Sequence, residues 1–303
     1  MKNTVIITTA ANKLRKHAVL KKSVIYFVLI GIGFVYLYPM LYMLVNSIFS
    51  REDLLDPTVI WIPTRIDFSN FASAYKTLDF SHSFLNSILL SAVPAVLQTA
   101  VTSVVAFGLA RFKLPYGKIL FVLIIATFLL PTQIMMVPRY VLFDDMKLID
   151  TVWVQFLPAL FGQGIKSAIF ILVFYQYFSS YPAAFDEAAE LDGAGKGKIF
   201  LFIALPIASG AVVLSLLFSF VWYWNETYQS NMLFGSAIQT LPLKLQSFTA
   251  QYEAIYGGDA SGTVNESITL AGTLLSVLPI LILYIFLQRR FVESIEQSGI
   301  TGE

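Results

Sequence analysis

The 303-residue chain is 57% hydrophobic and only 13% charged, with a net charge of +1, against about 25% charged residues in a soluble globular chain. It has no cysteine, which excludes structural disulfides and thiolate metal sites. The charges are clustered, and the long uncharged stretches between them place the chain in a bilayer and exclude a soluble fold.

In chain order, residues 23–50, 83–110, 119–138, 167–185, 199–225 and 267–288 lack Asp, Glu, Lys and Arg. Each stretch can hold a spanning helix of roughly 20 mostly apolar residues. Spans are expected at about 23–49, 84–110, 119–137, 159–178, 203–225 and 267–288. Backbone groups in lipid must be bonded internally, so continuous apolar runs read as helices, and they lack the alternation of a membrane barrel. The predicted fold class is all-α, a polytopic membrane protein with six transmembrane helices. The spanning domain covers 23–291, after an N-terminal segment 1–22 and before a tail 292–303. The uncharged stretch 227–243 is more polar and is read as lying outside the membrane. A basic region precedes the first span, but that span's uncharged stretch exceeds the about 7–15 residues of a cleaved signal, so it is expected to be retained.

Basic residues set the orientation. Lys2, Lys13, Arg15, Lys16, Lys21 and Lys22 precede the first span, Arg111, Lys113 and Lys118 follow the second, Lys196 and Lys198 follow the fourth, and Arg289 and Arg290 follow the sixth. The opposite side has fewer, namely Arg51, Arg65, Lys76, Arg139, Lys147 and Lys244. Lys and Arg near span ends stay in the cytoplasm, so both termini are expected there, as an even number of spans requires. The longest loops then lie outside, at 51–82 and 226–266. In the first, Asp67 or Ser69 suits a helix cap. The second carries turn signals at Gly257-Gly258-Asp259 and Ser261-Gly262.

The loop between the fourth and fifth spans, 180–198, is the most informative. Ser180 and Pro182 suit a helix start, Asp186 and Glu187 favour that end of the helix dipole, and Gly193, Gly195 and Gly197 suit an exit. The reading is a short amphipathic helix followed by a bend. Ala188 and Ala189 beside Glu187 let it lie in a groove of another protein, with Glu187 pairing with an Arg there. The alternative is a connector packed on its own subunit.

Glu187-Ala188-Ala189, Gly193, Ile203 and Leu205-Pro206 fall at the spacing of a known signature. The loop resembles that of permease subunits of binding-protein-dependent ABC importers. Phe84-Leu85-Asn86-Ser87, Ala106–Phe112, Pro131-Thr132-Gln133, Trp224-Asn225-Glu226 and Leu241-Pro242-Leu243 are similar to the carbohydrate-type members, specifically the second, six-span permease of maltose-type and multiple-sugar importers. The tail Ser298–Glu303 departs from the family's Gly-rich, Lys-containing ending. The resemblance implies a type I ABC importer permease fold in the bacterial cytoplasmic membrane. It also implies a homologous permease as heterodimer partner, two ATPase subunits, an extracytoplasmic solute-binding protein and a sugar or oligosaccharide as cargo. In the family the loop forms the coupling helix in a cleft of the ATPase, which carries over to Glu187, Ala188, Ala189, Asp192 and Gly193.

No ATPase is expected in this chain. Gly197-Lys198 comes closest to a phosphate loop, but Asp192 stands where that motif needs its first Gly and Ile199 where it needs Ser or Thr. ATP and magnesium are therefore expected in partner subunits. His17 and His82 are predicted on opposite sides of the membrane and share no site. Lys166 near the fourth span reads as a pathway residue or as a lysine reaching the outer surface. Gln98, Thr99 and Thr102 read as a pathway line or as hydrogen bonds between packed helices. Phe218, Trp222 and Trp224 read as sugar-stacking or packing aromatics. The rival class, an ion-coupled secondary transporter, needs ionisable groups near the bilayer centre and leaves the signature loop unexplained.

Overall fold

The computed structural model describes the backbone of residues 2–257 and 265–300 and the side chains of 21–257 and 265–288. The described residues form helices, and their one β-type pairing is a single bridge between Phe49 and Ile66. Two units separate, Met1–Ala74 with Thr263–Leu274, and Tyr75–Gly262 with Leu275–Glu303.

In the first unit, α1 (Lys2–Asn46) carries a 26-residue apolar part, Lys21–Asn46. At 1.5 Å per residue that part is about 39 Å long, more than the roughly 30 Å hydrocarbon core. The helix stops short of the expected 49 because side chains take its last carbonyls. Asn46 Nδ2 donates to the Tyr42 carbonyl at 2.9 Å and Ser47 Oγ to that of Leu44 at 2.8 Å. Ser50 caps α2 (Arg51–Leu55), accepting the Asp53 N–H at 3.1 Å. Asp53 in turn accepts from the Thr64 hydroxyl and the Arg65 N–H, and these bonds, the Thr64 one foremost, hold its carboxyl below the usual carboxylate range. α3 (Ser69–Thr77) starts where Asp67, rather than Ser69, makes the capping bond, accepting the Ser69 N–H at 2.9 Å. The Asn70 amide donates to the carbonyls of Ser47 and Phe49, and Tyr42 donates to Glu266, the first residue of the last helix, at 2.9 Å.

The second unit is organised around α4 (Phe80–Arg111), 32 residues long. After it come α5 (Gly117–Leu129), α6 (Thr132–Asp145), α7 (Trp153–Leu160), α8 (Ser167–Ser180), α9 (Ala184–Leu191) and α10 (Lys196–Ile199). A π turn, Phe200–Ala204, leads through α11 (Leu205–Ile207) into α12 (Ser209–Asn225). α13 (Tyr228–Phe234), α14 (Leu241–Gln246) and α15 (Phe248–Tyr256) form the described part of the loop read as lying outside, and α16 (Glu266–Ile300) closes the chain. The turn signals beyond Gly257 lie outside the described residues.

The buried face of α4 explains its central place. Ser83, Ser87, Ser91, Ala95, Thr99, Ser103 and Phe107 form one row four residues apart, and Leu90, Pro94, Gln98, Thr102 and Ala106 form the next. α12 presents a matching row, Ala211, Ser215, Ser219 and Tyr223. Small side chains let two apolar helices approach closely, and their hydroxyls bond across the seam. Thr99 and Ser215 do so at 3.0 Å. α8 packs on α4 as extensively as α12 does, and α14 is tied to it where Ser87 Oγ accepts the Leu241 N–H at 2.8 Å.

The expected spans differ from the helices in three further places. Lys21–Asn46, α4 and Glu266–Gln288 are long and apolar enough to cross a membrane unaided, whereas three further candidates are bent helix pairs. The expected span 119–137 is broken between α5 and α6, with a bend of 98°. Leu130 precedes Pro131 and is extended at φ −75° and ψ 122°, as the residue before a proline prefers. The expected span 159–178 instead holds the end of α7, an irregular segment 161–166 and α8. Gly162 and Lys166 adopt positive φ there, so Lys166 stands just before a helix rather than within one. The fifth is broken at Ala208 with a bend of 79°. Pro206 cannot donate to the carbonyl four residues back, and the Leu205 N–H reaches five residues back to Phe200.

Ala106→Leu tests the small-residue seam, since Ala106 is fully buried. Overpacking is expected to cost about 1–3 kcal/mol, read as a lower thermal unfolding midpoint of the purified protein in detergent. Val104→Leu, on the exposed side of the same helix, should leave the midpoint unchanged.

Candidate functional site

After α8, the chain turns at Tyr181 and Pro182, and the N–H groups of Asp186 and Glu187 both reach the Ala183 carbonyl, at 3.0 and 3.1 Å. α9 follows at 73° to α8, with Asp186 and Glu187 in its first turn. Its end is closed by two bonds. The Ala194 N–H donates to the Ala189 carbonyl at 2.9 Å and the Gly193 N–H to that of Glu190 at 3.0 Å, with Gly193 at φ +81°. This is a Schellman closure, which needs the left-handed conformation that glycine adopts without strain. Lys196 pairs with Glu190 beyond it.

Glu187, Ala188, Asp192 and Gly193 are exposed and Ala189 is half-buried. Phe185 and Leu191 share the exposed surface, Leu191 at 90%. An exposed leucine and phenylalanine on an eight-residue helix form an apolar surface available to a partner. The helix thus presents Phe185, Glu187, Ala188 and Leu191 to the surface, while Asp186 and Ala189 pack on its own subunit.

The buried side of α9 contains a contact that sequence reasoning missed. Asp186 accepts from the Tyr181 hydroxyl at 2.7 Å, and its Oδ2 lies 3.6 Å from Nε of Arg111, the last residue of α4. The Arg111 guanidinium stacks on the Tyr181 ring at 3.6 Å, and its Nη2 donates to the Tyr181 carbonyl at 2.6 Å. Burial, and next the bond to Asp186, push the Tyr181 hydroxyl well above its usual pKa, so it stays a donor. The Phe107, Phe178 and Phe200 rings pack edge-on or tilted against one another, and with Tyr181 they belong to the same buried cluster.

The polar line of α4 has a different task. Gln98 is fully buried, its Nε2 donating to the Ile165 carbonyl at 2.7 Å and its Oε1 accepting from the Tyr223 hydroxyl at 2.6 Å. The Ile165 N–H donates to that same hydroxyl at 3.2 Å. Two side chains thus satisfy both backbone groups of a residue in the break before α8. Thr102 donates to the Gln98 carbonyl at 2.7 Å within α4. The Lys166 ammonium lies 4.3 Å from the centre of the half-buried Trp222 ring, which packs against Phe170 and Phe218. Trp224 is buried between Phe84 and Phe220. Gln98 and Trp224 are therefore enclosed by packing, while Lys166 is exposed.

A small cleft beside this knot also went unread in the sequence. Arg139, Gln155, Gln163, Tyr223, Glu226 and Gln229 line it, with Arg139 Nη1 donating to Gln229 Oε1 at 2.7 Å. Glu226 accepts the Gln229 N–H at 2.7 Å. Arg139 of α6 and Gln229 of α13 meet there although they are 90 positions apart.

A Cβ on Gly164 would collide with Gln98 Oε1 and the Tyr223 hydroxyl. Gly164→Ala and Gln98→Leu are each expected to cost about 1–3 kcal/mol, through steric displacement and through stranded buried groups respectively. Because both act on one knot, the double variant should lose less than the sum. Denaturant unfolding of the four proteins measures this, and strict additivity would refute the shared knot.

Residues 87–297 match the model of a family described as the binding-protein-dependent transport system inner membrane component. The chain is 28% identical over 245 residues to the melibiose/raffinose/stachyose import permease protein MelC of Bacillus subtilis, covering 80% of this chain and 84% of that one. It is 27% identical over 275 residues to the arabinooligosaccharides transport system permease protein AraQ of Halalkalibacterium halodurans, covering 89% and 93%. Its fold resembles a chain in the crystal structure of a bacterial ABC transporter involved in the import of the acidic polysaccharide alginate. The TM-score is 0.73 at 23% identity, over 89% of this chain and 96% of that one. With more than half its length inside the family's model, the chain belongs to the binding-protein-dependent transport system inner membrane components.

Proposed function

We propose that this permease forms half of the translocation pathway of an ATP-driven importer for a sugar or oligosaccharide. The observation that carries the coupling assignment is the exposed face of α9. It is a rigidly closed helix, anchored on its inner side, that offers Phe185, Glu187, Ala188 and Leu191 outward. α9 is the coupling helix, and Glu187, Ala188, Ala189, Asp192 and Gly193 are its contacts with an ATPase subunit. Two such subunits bind ATP and magnesium, and a homologous permease completes the pathway. The chain crosses the membrane six times, with α9 lying beyond the fourth crossing and both termini in the cytoplasm. Two relatives support the cargo class by their names, one an import permease for melibiose, raffinose and stachyose and the other a transport system permease for arabinooligosaccharides. A solute-binding protein delivers that cargo from outside. Of the pathway candidates, exposed Lys166 and half-buried Trp222 are retained, because only these keep surface a solute can reach.

ATP closes the two ATPases, and the helices seated on them move with that closure. The spans then switch from facing inward to facing outward, and hydrolysis resets them. A charge reversal on the docking face tests the arrangement. Purified from cells co-expressing its neighbouring genes, the chain is expected to bring down an ATPase subunit, and Glu187→Arg to lose it. A solitary chain that moves melibiose or raffinose into liposomes without ATP would overturn the reading in favour of a secondary transporter.

A further inference from the structure

Taking α9 as the coupling helix, we infer that Arg111 is a positioning residue that locks α9 to α4, so that movement received at α9 is delivered to the central helix of the bundle. Three elements meet at this point. Arg111 ends α4, Tyr181 follows α8, and Asp186 lies in the first turn of α9. The Arg111 and Asp186 side chains are 11% and 12% exposed.

The guanidinium is held in three ways. Its plane stacks on the Tyr181 ring, Nη2 bonds the Tyr181 carbonyl, and Nε faces Asp186 Oδ2 at 3.6 Å. That last separation is an ion pair without a hydrogen bond, and Nε has no hydrogen-bond partner. Orientation therefore comes from the stack and the carbonyl bond, and the charge contact adds attraction between α4 and α9. A planar, forked cation can do all three at once, whereas the compact ammonium of a lysine cannot stack flat on the ring while also reaching the carbonyl and the carboxylate.

The position of the lock gives it leverage. α9 is joined to the bundle by a turn at Tyr181-Pro182 on one side and by Gly193–Gly197 on the other, with a π turn and the Ala208 break further along. Both covalent routes out of α9 are bent. α4 is continuous from Phe80 to Arg111, and it packs along both α8 and α12. A force passing through Arg111 enters the longest described helix of this unit at its end and reaches both neighbours. Phe107, one turn before Arg111, touches Phe178 and Phe200 and spreads the same displacement to α8 and the π turn.

The chain contains no cysteine, so two spin labels can be placed in it uniquely, at Val104→Cys on α4 and Ala184→Cys on α9, both exposed. The labelled chain is assembled with cysteine-free forms of its co-expressed subunits. Pulsed electron resonance then gives the distance between the labels with and without a non-hydrolysable ATP analogue and magnesium. The expected result is one narrow distribution that nucleotide does not shift. Arg111→Gln and Asp186→Asn should broaden the distribution and make it move with nucleotide while the ATPase subunits still co-purify. Asp186→Glu should restore the narrow form. A coupling free energy of the usual size makes the loosened population about tenfold larger than in the parent. An unchanged narrow distribution in both variants, a nucleotide shift already present in the parent, or loss of the ATPase subunits from the variants would each overturn the lock. If Glu187→Arg retains the ATPase, the coupling-helix reading fails instead, because that result does not depend on the distance between α4 and α9.

Discussion

Every break in a helix surrounded by apolar side chains leaves peptide groups that must find partners inside the protein. The second unit is arranged around that demand. The irregular segment before α8 strands the N–H and carbonyl of Ile165, and Gln98 and Tyr223 take them. Gln98 can reach because its row on α4 is flanked by serine, threonine and alanine, which let α8 and α12 come close. An amide left without partners in such a place would cost about 1–3 kcal/mol. The polar line of α4 and the broken approach to α8 therefore form one feature. A solute has no access to Gln98 while the bonds hold.

The same reasoning separates what the sequence discloses from what it conceals. The apolar stretches locate three unbroken spans, and the acidic first turn and Gly193 announce a short helix with a glycine exit at α9, because such closures are local chemistry. The break at Leu130-Pro131 was legible in principle, since a proline constrains the residue before it. The length of the uncharged stretch concealed it, as a hydropathy reading joins 119–137 into one span. Gln98 with Tyr223, 125 positions apart, and Arg111 with Tyr181, 70 apart, leave no local trace. Such pairs exist only once α4 lies beside α8 and α12. The polar residues of α4 therefore read equally well as pathway or packing in the sequence, and in the fold Gln98 is buried and bonded to Ile165 and Tyr223.

Arg111 and Asp186 pose an energetic question as well. Removing two charges from water costs several kcal/mol per ion, and the attraction between them repays this only with good geometry and further bonds. Their 3.6 Å separation is long, so the pair itself adds little to stability. The further bonds are present, because Asp186 accepts from Tyr181 and Arg111 donates to the Tyr181 carbonyl. Tyr181 is thus shared between the two charges, and each tethers a different helix to it. What this geometry supplies is a defined register of α9 against the end of α4. Burying two leucines there would hold the helices together but would leave them free to slide.

That register bears on how energy can enter the molecule. The outer face of α9 is open, with Leu191 almost wholly exposed, and its inner face is bonded to α4 and α8. The Schellman closure at Gly193 keeps its final turn from unwinding under load. The contacts of this helix with the bundle run through Ala189, which packs on the core cluster, and through Asp186, which meets Tyr181 and Arg111. The ion-coupled alternative would have to draw its energy from Lys166, whose ammonium rests over the Trp222 ring at the start of α8. The two sites thus differ in kind, since side chains tie α9 to the end of α4 whereas Lys166 meets an aromatic ring of α12.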